Sequence, residues 1–249
     1  VTSAAISAGI RGAVSRVQTT VSGSATAVAG VETTIPGLAA AAAVLRSGIP
    51  ALGLAADDAL VARLCRYLAL LHRWNRRMNL TAVRGMEKMA RWHVLDSLSI
   101  HRHLRGRVLD VGSGAGLPGL PVALALPALP VTLLESRARR VEFLREAVRV
   151  TGASNVHVWH ARAEHGKTGE KFDALAVRAV GSVRAVLQTA GHLCAADGSV
   201  VMMKGPRASA EVAAAATMRG WRFETVPVAV PGLDRRRCAV IATRAQGGR

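Results

Sequence analysis

Three observations predict an α/β fold built on a doubly wound, mostly parallel sheet. From residue 105 onward, short apolar runs alternate with amphipathic stretches, the pattern of strands joined by crossover helices. One run, Val108-Leu109-Asp110-Val111, passes directly into Gly112-Ser113-Gly114-Ala115-Gly116-Leu117-Pro118-Gly119. This reads as a buried strand, a tight glycine turn and a helix start, with Pro118 suited to the first helical turn. Finally, Asp110, Glu135, Glu164, Arg178 and Lys204 all fall at or just past the ends of expected strands, where doubly wound sheets hold their ligands.

The glycine turn narrows the ligand. Gly114 to Gly119 formally fits the dinucleotide pattern G-x-G-x-x-G, a weak signal alone. Asp110, two residues before the first glycine, would repel a pyrophosphate. S-adenosylmethionine carries a sulfonium, an ammonium and a carboxylate but no phosphate. Asp110 can face its cationic part while loop N–H groups take the carboxylate. A second run, Val131-Thr132-Leu133-Leu134, ends in Glu135, spaced for an acid that holds ribose hydroxyls. The alternative is a glycine turn that merely links a strand to a helix.

Composition bounds the partners. The 249 residues are half hydrophobic with a formal net charge of +17. Residues 1–50 hold three arginines against one glutamate, net +2, which leaves +15 on residues 51–249. Such an excess favours a polyanion, most simply nucleic acid. Cys65, Cys194 and Cys238 are isolated, with no C-x-x-C, so neither a zinc site nor a disulfide framework is indicated, and a cytoplasmic setting fits. The eight histidines include no recognised ligand set, so no metal is expected. The uncharged stretch from Val111 to Leu134 is broken by four prolines, so no membrane span is expected.

In chain order, residues 1–50 are rich in Ala, Gly, Ser, Thr and Val. They are expected to be a disordered leader, in preference to a transit peptide, with Ala39 to Leu45 able to turn helical on docking. A chain starting near Leu54 is therefore expected to keep its melting temperature. Residues 51–104 form an N-terminal helical segment. Its first helix spans 57–78, with Leu60, Leu64, Tyr67, Leu68, Leu71, Trp74 and Met78 on one face. Its second spans 86–103 and brings His93, Asp96 and Ser97 to one side. Residues 105–249 form the core. Helices are expected at 120–126, 137–150 (closed at Gly152), 182–196 and 208–219. Strands are expected at 108–111, 131–134, 155–160, 172–177 and 199–203, with a closing hairpin of 223–230 and 238–243.

Several separated blocks carry a family resemblance. Trp74-Asn75, Asn79-Leu80-Thr81-Ala82, His93 to Leu98, Leu109 to Gly119, Lys204-Gly205 and Val230 to Asp234 resemble the RsmG (GidB) family over roughly residues 57–243. The resemblance implies a Rossmann-like, S-adenosylmethionine-dependent methyltransferase acting on guanine N7 in 16S ribosomal RNA. The expected partners are that RNA or the small ribosomal subunit, with no membrane partner and a monomeric enzyme. It implies a cofactor site of Asp110, Gly112, Gly114, Gly116, Leu117, Glu135, Ala163, Glu164 and Arg178. Arg178 also borders the reaction site, as a positioning group for guanine O6 or a phosphate. Asn79, His93, Asp96, Ser97 and Lys204 are the candidates for contact with RNA. No general base is required, because guanine N7 has a lone pair and no proton. No Asn/Asp-Pro-Pro-aromatic block follows the fourth strand and no cysteine follows a proline, which sets the chain apart from amine and cytosine-C5 methylases. The competing readings are a methyltransferase for a small molecule or another RNA, and a nonenzymatic RNA-binding protein.

The charge generates a prediction. Affinity for RNA should fall steeply between low and moderate salt as phosphate counterions are released. A filter-binding titration with flat affinity would count against a polyanionic partner.

Overall fold

The computed structural model describes residues 35–165 and 169–245. Seven strands form one sheet: β1 (Val108–Val111), β2 (Val131–Glu135), β3 (Val156–His160), β4 (Phe172–Arg178), β5 (Cys194–Lys204), β6 (Trp221–Val228) and β7 (Arg237–Arg244). Their order is 3-2-1-4-5-7-6. The first five pair in parallel, and β7 runs antiparallel to both β5 and β6. The chain turns outward in both directions from β1, so the switch point lies between β1 and β4. Reversal of β7 pairs Lys204, at the end of β5, with Cys238, near the start of β7. Arg237 is thereby delivered to the same end of the sheet as Glu135 and Arg178.

Side-chain alternation divides the core into two layers. Val108 faces one cluster with Leu133, Ala174 and Ala176; Leu109 and Val111 face the other with Leu175 and Val177. The first layer is covered by α1 (Leu38–Ala51), α2 (Asp58–Met78), α5 (Gly119–Ala125), α6 (Ala138–Thr151) and a composite helix. That helix comprises α3 (Met86–Met89), a π-helical segment (Ala90–Leu95) and α4 (Asp96–Leu98). The second layer is covered by α7 (Val183–Ala190) and α8 (Ala208–Ala215). Among the described residues, no helix is long and apolar enough to cross a membrane.

Local chemistry explains the boundaries. Asp57 caps α2 through its side chain, which accepts from the Leu60 N–H at 2.6 Å. Asn79 ends α2 in the left-handed conformation at φ 49°, which asparagine tolerates better than most residues. Gly152 closes α6 in the same way.

Three expectations need correction. The expected leader is packed from Leu38 onward: Leu38, Ala41, Ala42, Leu45 and Ile49 are buried in the first layer. Gly48 comes so close to the composite helix that a Cβ would run into the Leu95 side chain. Alanine-rich composition masked a three- and four-residue stripe; residues 1–34 lie outside the described residues. The helix expected over 182–196 stops at Ala190, because Cys194 already pairs with Phe172 of β4. The helix expected over 86–103 ends at Leu98 and contains the π segment, which serves Arg178 as described below.

Burial of α1 reverses the truncation expectation. Leu45→Ala should cost about 2–5 kcal/mol, the range for emptying a fully buried leucine site. A chain starting near Leu54 should melt at a lower temperature. Urea denaturation of the point variant and a thermal melt of the truncated chain check both.

Candidate functional site

The glycine loop after β1 is held from three sides. Asp110 points into the first layer, where Oδ2 accepts from the Gly119 N–H at 2.9 Å. A Cβ at residue 119 would sit 2.7 Å from that oxygen, so glycine is required there. Glu135 reaches across from β2: Oε2 accepts from the Gly114 N–H at 3.0 Å. Its Oε1 accepts from the N–H groups of Ser136 and Arg137 at 2.8 and 2.9 Å. From α2, the buried Tyr67 hydroxyl donates to the Ala115 carbonyl at 2.7 Å. Burial drives the Tyr67 hydroxyl pKa far up, so it stays a donor. By its helical spacing Tyr67 reads only as a core residue of α2; that spacing carries no sign of a partner 48 residues away.

A cleft of about 240 Å³ opens above the loop, lined by Val111, Gly112, Leu134, Ala163, Glu164 and Val180, among others. Gly112 has φ +70° and lies so close to Val180 that a Cβ would meet Cγ2 at 2.9 Å. The apolar walls suit a purine ring, and Ser136 and the exposed Glu164 supply polar edges. These features fit S-adenosylmethionine. Of the expected cofactor residues, Gly112, Ala163 and Glu164 line this cleft. Gly114, Gly116 and Leu117 shape the loop behind it.

Asp110 and Glu135 are differently placed from the sequence expectation. Asp110 is fully buried, bonded to Gly119, and Oδ1 has no hydrogen-bond partner. It organises the loop from beneath and does not border the cleft. Glu135 spends its carboxylate on three backbone N–H groups. Neither placement is readable from motif spacing, which fixes the strand end but not the rotamer.

Beside the cleft lies a second cavity of about 410 Å³. Its walls include Asp96, Arg178, Ala179, Lys204 and Arg237, and both cavities share Gly181. Ala179, between Arg178 and the shared wall, adopts φ +57°. That left-handed conformation is uncommon for a residue with a Cβ and clusters at functional sites.

Arg178 crosses from β4 to the π segment. Nη2 donates to the Trp92 carbonyl at 2.9 Å and to His93 Nδ1 at 3.1 Å, and Nη1 lies 3.3 Å from Asp96 Oδ2. Arginine offers only donors, so His93 Nδ1 accepts and its Nε2–H donates to Thr81 Oγ1 at 2.7 Å. Burial, reinforced by Arg178, lowers the His93 pKa to about 4 and keeps the ring neutral. Asn75 holds Thr81 by two hydrogen bonds of 2.8 and 2.9 Å. Asp96 sits between Arg178 and Arg237, whose Nε lies 3.0 Å from Oδ1. Burial raises the Asp96 pKa, and the two arginines oppose that rise.

The expected RNA contacts are therefore relocated. His93, Asp96 and Ser97 are buried and hold Arg178, and Asn79 ends a helix. Lys204 is committed to the Gly181 carbonyl at 2.9 Å and Glu211 at 2.8 Å. Arg178 itself lines the second cavity with its fork on protein acceptors. His93, Asp96 and Ser97 found their partner on β4, more than 80 residues away, which local spacing cannot specify. Among the described residues, no group of three His, Cys, Asp or Glu is placed to hold a metal.

Strand order 3-2-1-4-5-7-6 around a glycine-loop cleft at the switch point makes this a Rossmann-like, S-adenosylmethionine-dependent methyltransferase. Residues 60–237 match the family model GidB, rRNA small subunit methyltransferase G, and the chain belongs to that family. A ribosomal RNA small subunit methyltransferase G from Stenotrophomonas maltophilia (strain K279a) is 42% identical over 192 residues, 76% of this chain and 90% of that one. Its counterpart from Chromobacterium violaceum is 45% identical over 180 residues, covering 71% and 85%. A crystal structure of a methyltransferase from Geobacter sulfurreducens shares the fold, with a TM-score of 0.51 at 17% identity, over 77% of this chain and 92% of that one.

Asp110 generates a pH prediction for the cofactor-free protein. Burial raises its pKa from 3.8 to about 7, against the opposing Gly119 hydrogen bond. A raised acid favours the folded state at low pH, and that contribution is lost as pH rises toward 7. His93, lowered from 6.5 to about 4, has the opposite slope, so the wild-type profile partly cancels. Asp110→Asn keeps a carbonyl for Gly119 and cannot ionise. Its stability relative to wild type should rise between pH about 4 and about 7 and be level outside that window. A relative stability that stays flat across urea melts at several pH values would contradict the buried proton.

Proposed function

We propose that the protein transfers a methyl group from S-adenosylmethionine to N7 of a guanine in 16S ribosomal RNA, naked or in a small-subunit particle. We further propose that it acts as a monomer in the cytoplasm. The observation that carries the reading is the pair of adjoining cavities: a cofactor cleft beside a cation-walled cavity, joined at Gly181. The names of the relatives supply the RNA, and the +15 on residues 51–249 suits it.

When bound, S-adenosylmethionine supplies a methyl group activated by positive sulfur. The protein's part is alignment and exclusion of water. The three-sided clamp on the glycine loop fixes the cofactor end of the reaction path. Arg178 fixes the wall between helix and sheet on the substrate side. Acids near that wall are engaged, Asp96 by two arginines and Glu211 by Lys204. An attacking atom without a proton needs no base, and N7 of guanine is such an atom. A small-molecule substrate is the competing reading; it would leave the basic surface without a partner.

The test is incorporation of labelled methyl groups into 16S RNA or small subunits, followed by reduction and strand scission at 7-methylguanine. Label should appear there, with no limb of the pH–rate profile that requires a base near neutrality. Arg178→Ala should lower turnover on the order of a hundredfold, and Arg178→Lys should recover only part, lacking the planar fork. Absence of label from RNA would overturn the assignment.

A further inference from the structure

Three cations face the 410 Å³ cavity, and their commitments differ. Arg178 is held by the Trp92 carbonyl, His93 and Asp96. Lys204 is held by Gly181 and Glu211. Arg237 is ion-paired with Asp96 through Nε alone, which lies 3.0 Å from Oδ1. The Nη groups of Arg237 have no hydrogen-bond partner among the described residues, and 26% of the side chain is exposed. Reversal of β7 places Arg237 at the carboxyl ends of the parallel strands, in the cavity that shares Gly181 with the cleft.

We propose that Arg237 is the residue that reads the target base, donating from its guanidinium to O6 of the guanine whose N7 is methylated. The inference rests on the N7 reading above and adds the group that confers base choice. Guanine presents O6 and N7 side by side on its major-groove edge, and arginine commonly donates to both. Here N7 must keep its lone pair for the methyl carbon, so O6 is the acceptor left for the fork. Adenine presents an N6 amino group in that place. A guanidinium has only donors, so adenine would oppose donor to donor and leave a desolvated charge unpaired. Asp96, between Arg178 and Arg237, offsets positive charge close to a ring that becomes cationic as N7 is alkylated. A lysine could not supply the same fixed fork.

The experiment first maps the methylated guanine in the wild-type reaction on 16S transcripts, then compares transcripts with guanine or adenine at that position. Wild type should strongly prefer guanine. Arg237→Ala should lower kcat/KM for guanine about tenfold to a hundredfold and narrow the guanine-to-adenine ratio by a similar factor. Its affinity for S-adenosylmethionine by calorimetry should stay within about twofold, since Arg237 does not line the cofactor cleft. Arg237→Lys, which retains the charge beside Asp96, should recover part of the rate and of the preference, and serves if the alanine variant does not fold. Equal losses on guanine and adenine, with the ratio unchanged, would assign Arg237 to a phosphate and overturn the proposal. An unchanged kcat/KM would overturn it as well. A wild type that modifies RNA elsewhere than guanine N7 defeats the reading beneath it; a wild type that modifies N7 while the variants keep full base choice defeats this inference alone.

Discussion

The contact between Arg178 and the π segment joins the two halves of the site. The guanidinium leaves the end of β4 and finds the Trp92 carbonyl, His93 and Asp96 on the composite helix. These acceptors belong to residues more than 80 positions away. Insertion of a π turn is a known feature of functional helices, and here it presents a backbone carbonyl and two side chains to one planar fork. The network continues through His93 to Thr81 and Asn75 in one direction, and through Asp96 to Arg237 in the other. Sequence blocks that look unrelated along the chain are thus consecutive links in one polar chain. Its members are buried or half-buried, where a paired charge is tolerated and an unpaired one is costly.

A second constraint acts on the glycine loop. Left-handed backbone at Gly112, Gly114 and Gly116 permits a tight path but does not select one. Selection comes from Asp110 beneath, Glu135 beside and Tyr67 from α2. The Tyr67 bond ties the helical segment to the glycine loop, although no residue of that segment lines the cleft. Order in the loop before ligand binding lowers the entropy that binding must overcome.

Both constraints depend on the helical layer being seated, and α1 contributes to that seating. It packs against the composite helix that holds Arg178, with Gly48 allowing close approach to Leu95. Loosening this layer would therefore reach the second cavity through Arg178, one of its lining residues.

The sequence by itself determined the seven strands, the glycine turn and the family, and it put Asp110, Glu135, Arg178 and Lys204 at the strand ends. Apolar alternation, glycine spacing and strand-end charges are local signals, and local backbone geometry obeys them. Tertiary structure alone decided which side chains meet. Asp110 turned inward to Gly119, His93 and Asp96 turned to Arg178, and Lys204 turned to Glu211. Only after those pairings does Arg237 stand out among the cations of the cavity: its Nε meets Asp96, and its Nη groups have no hydrogen bond among the described residues. A side chain's partner is set by the packing of elements tens of residues apart and by the cost of leaving a buried polar group unpaired. Neither quantity is written in the spacing of residues along the chain.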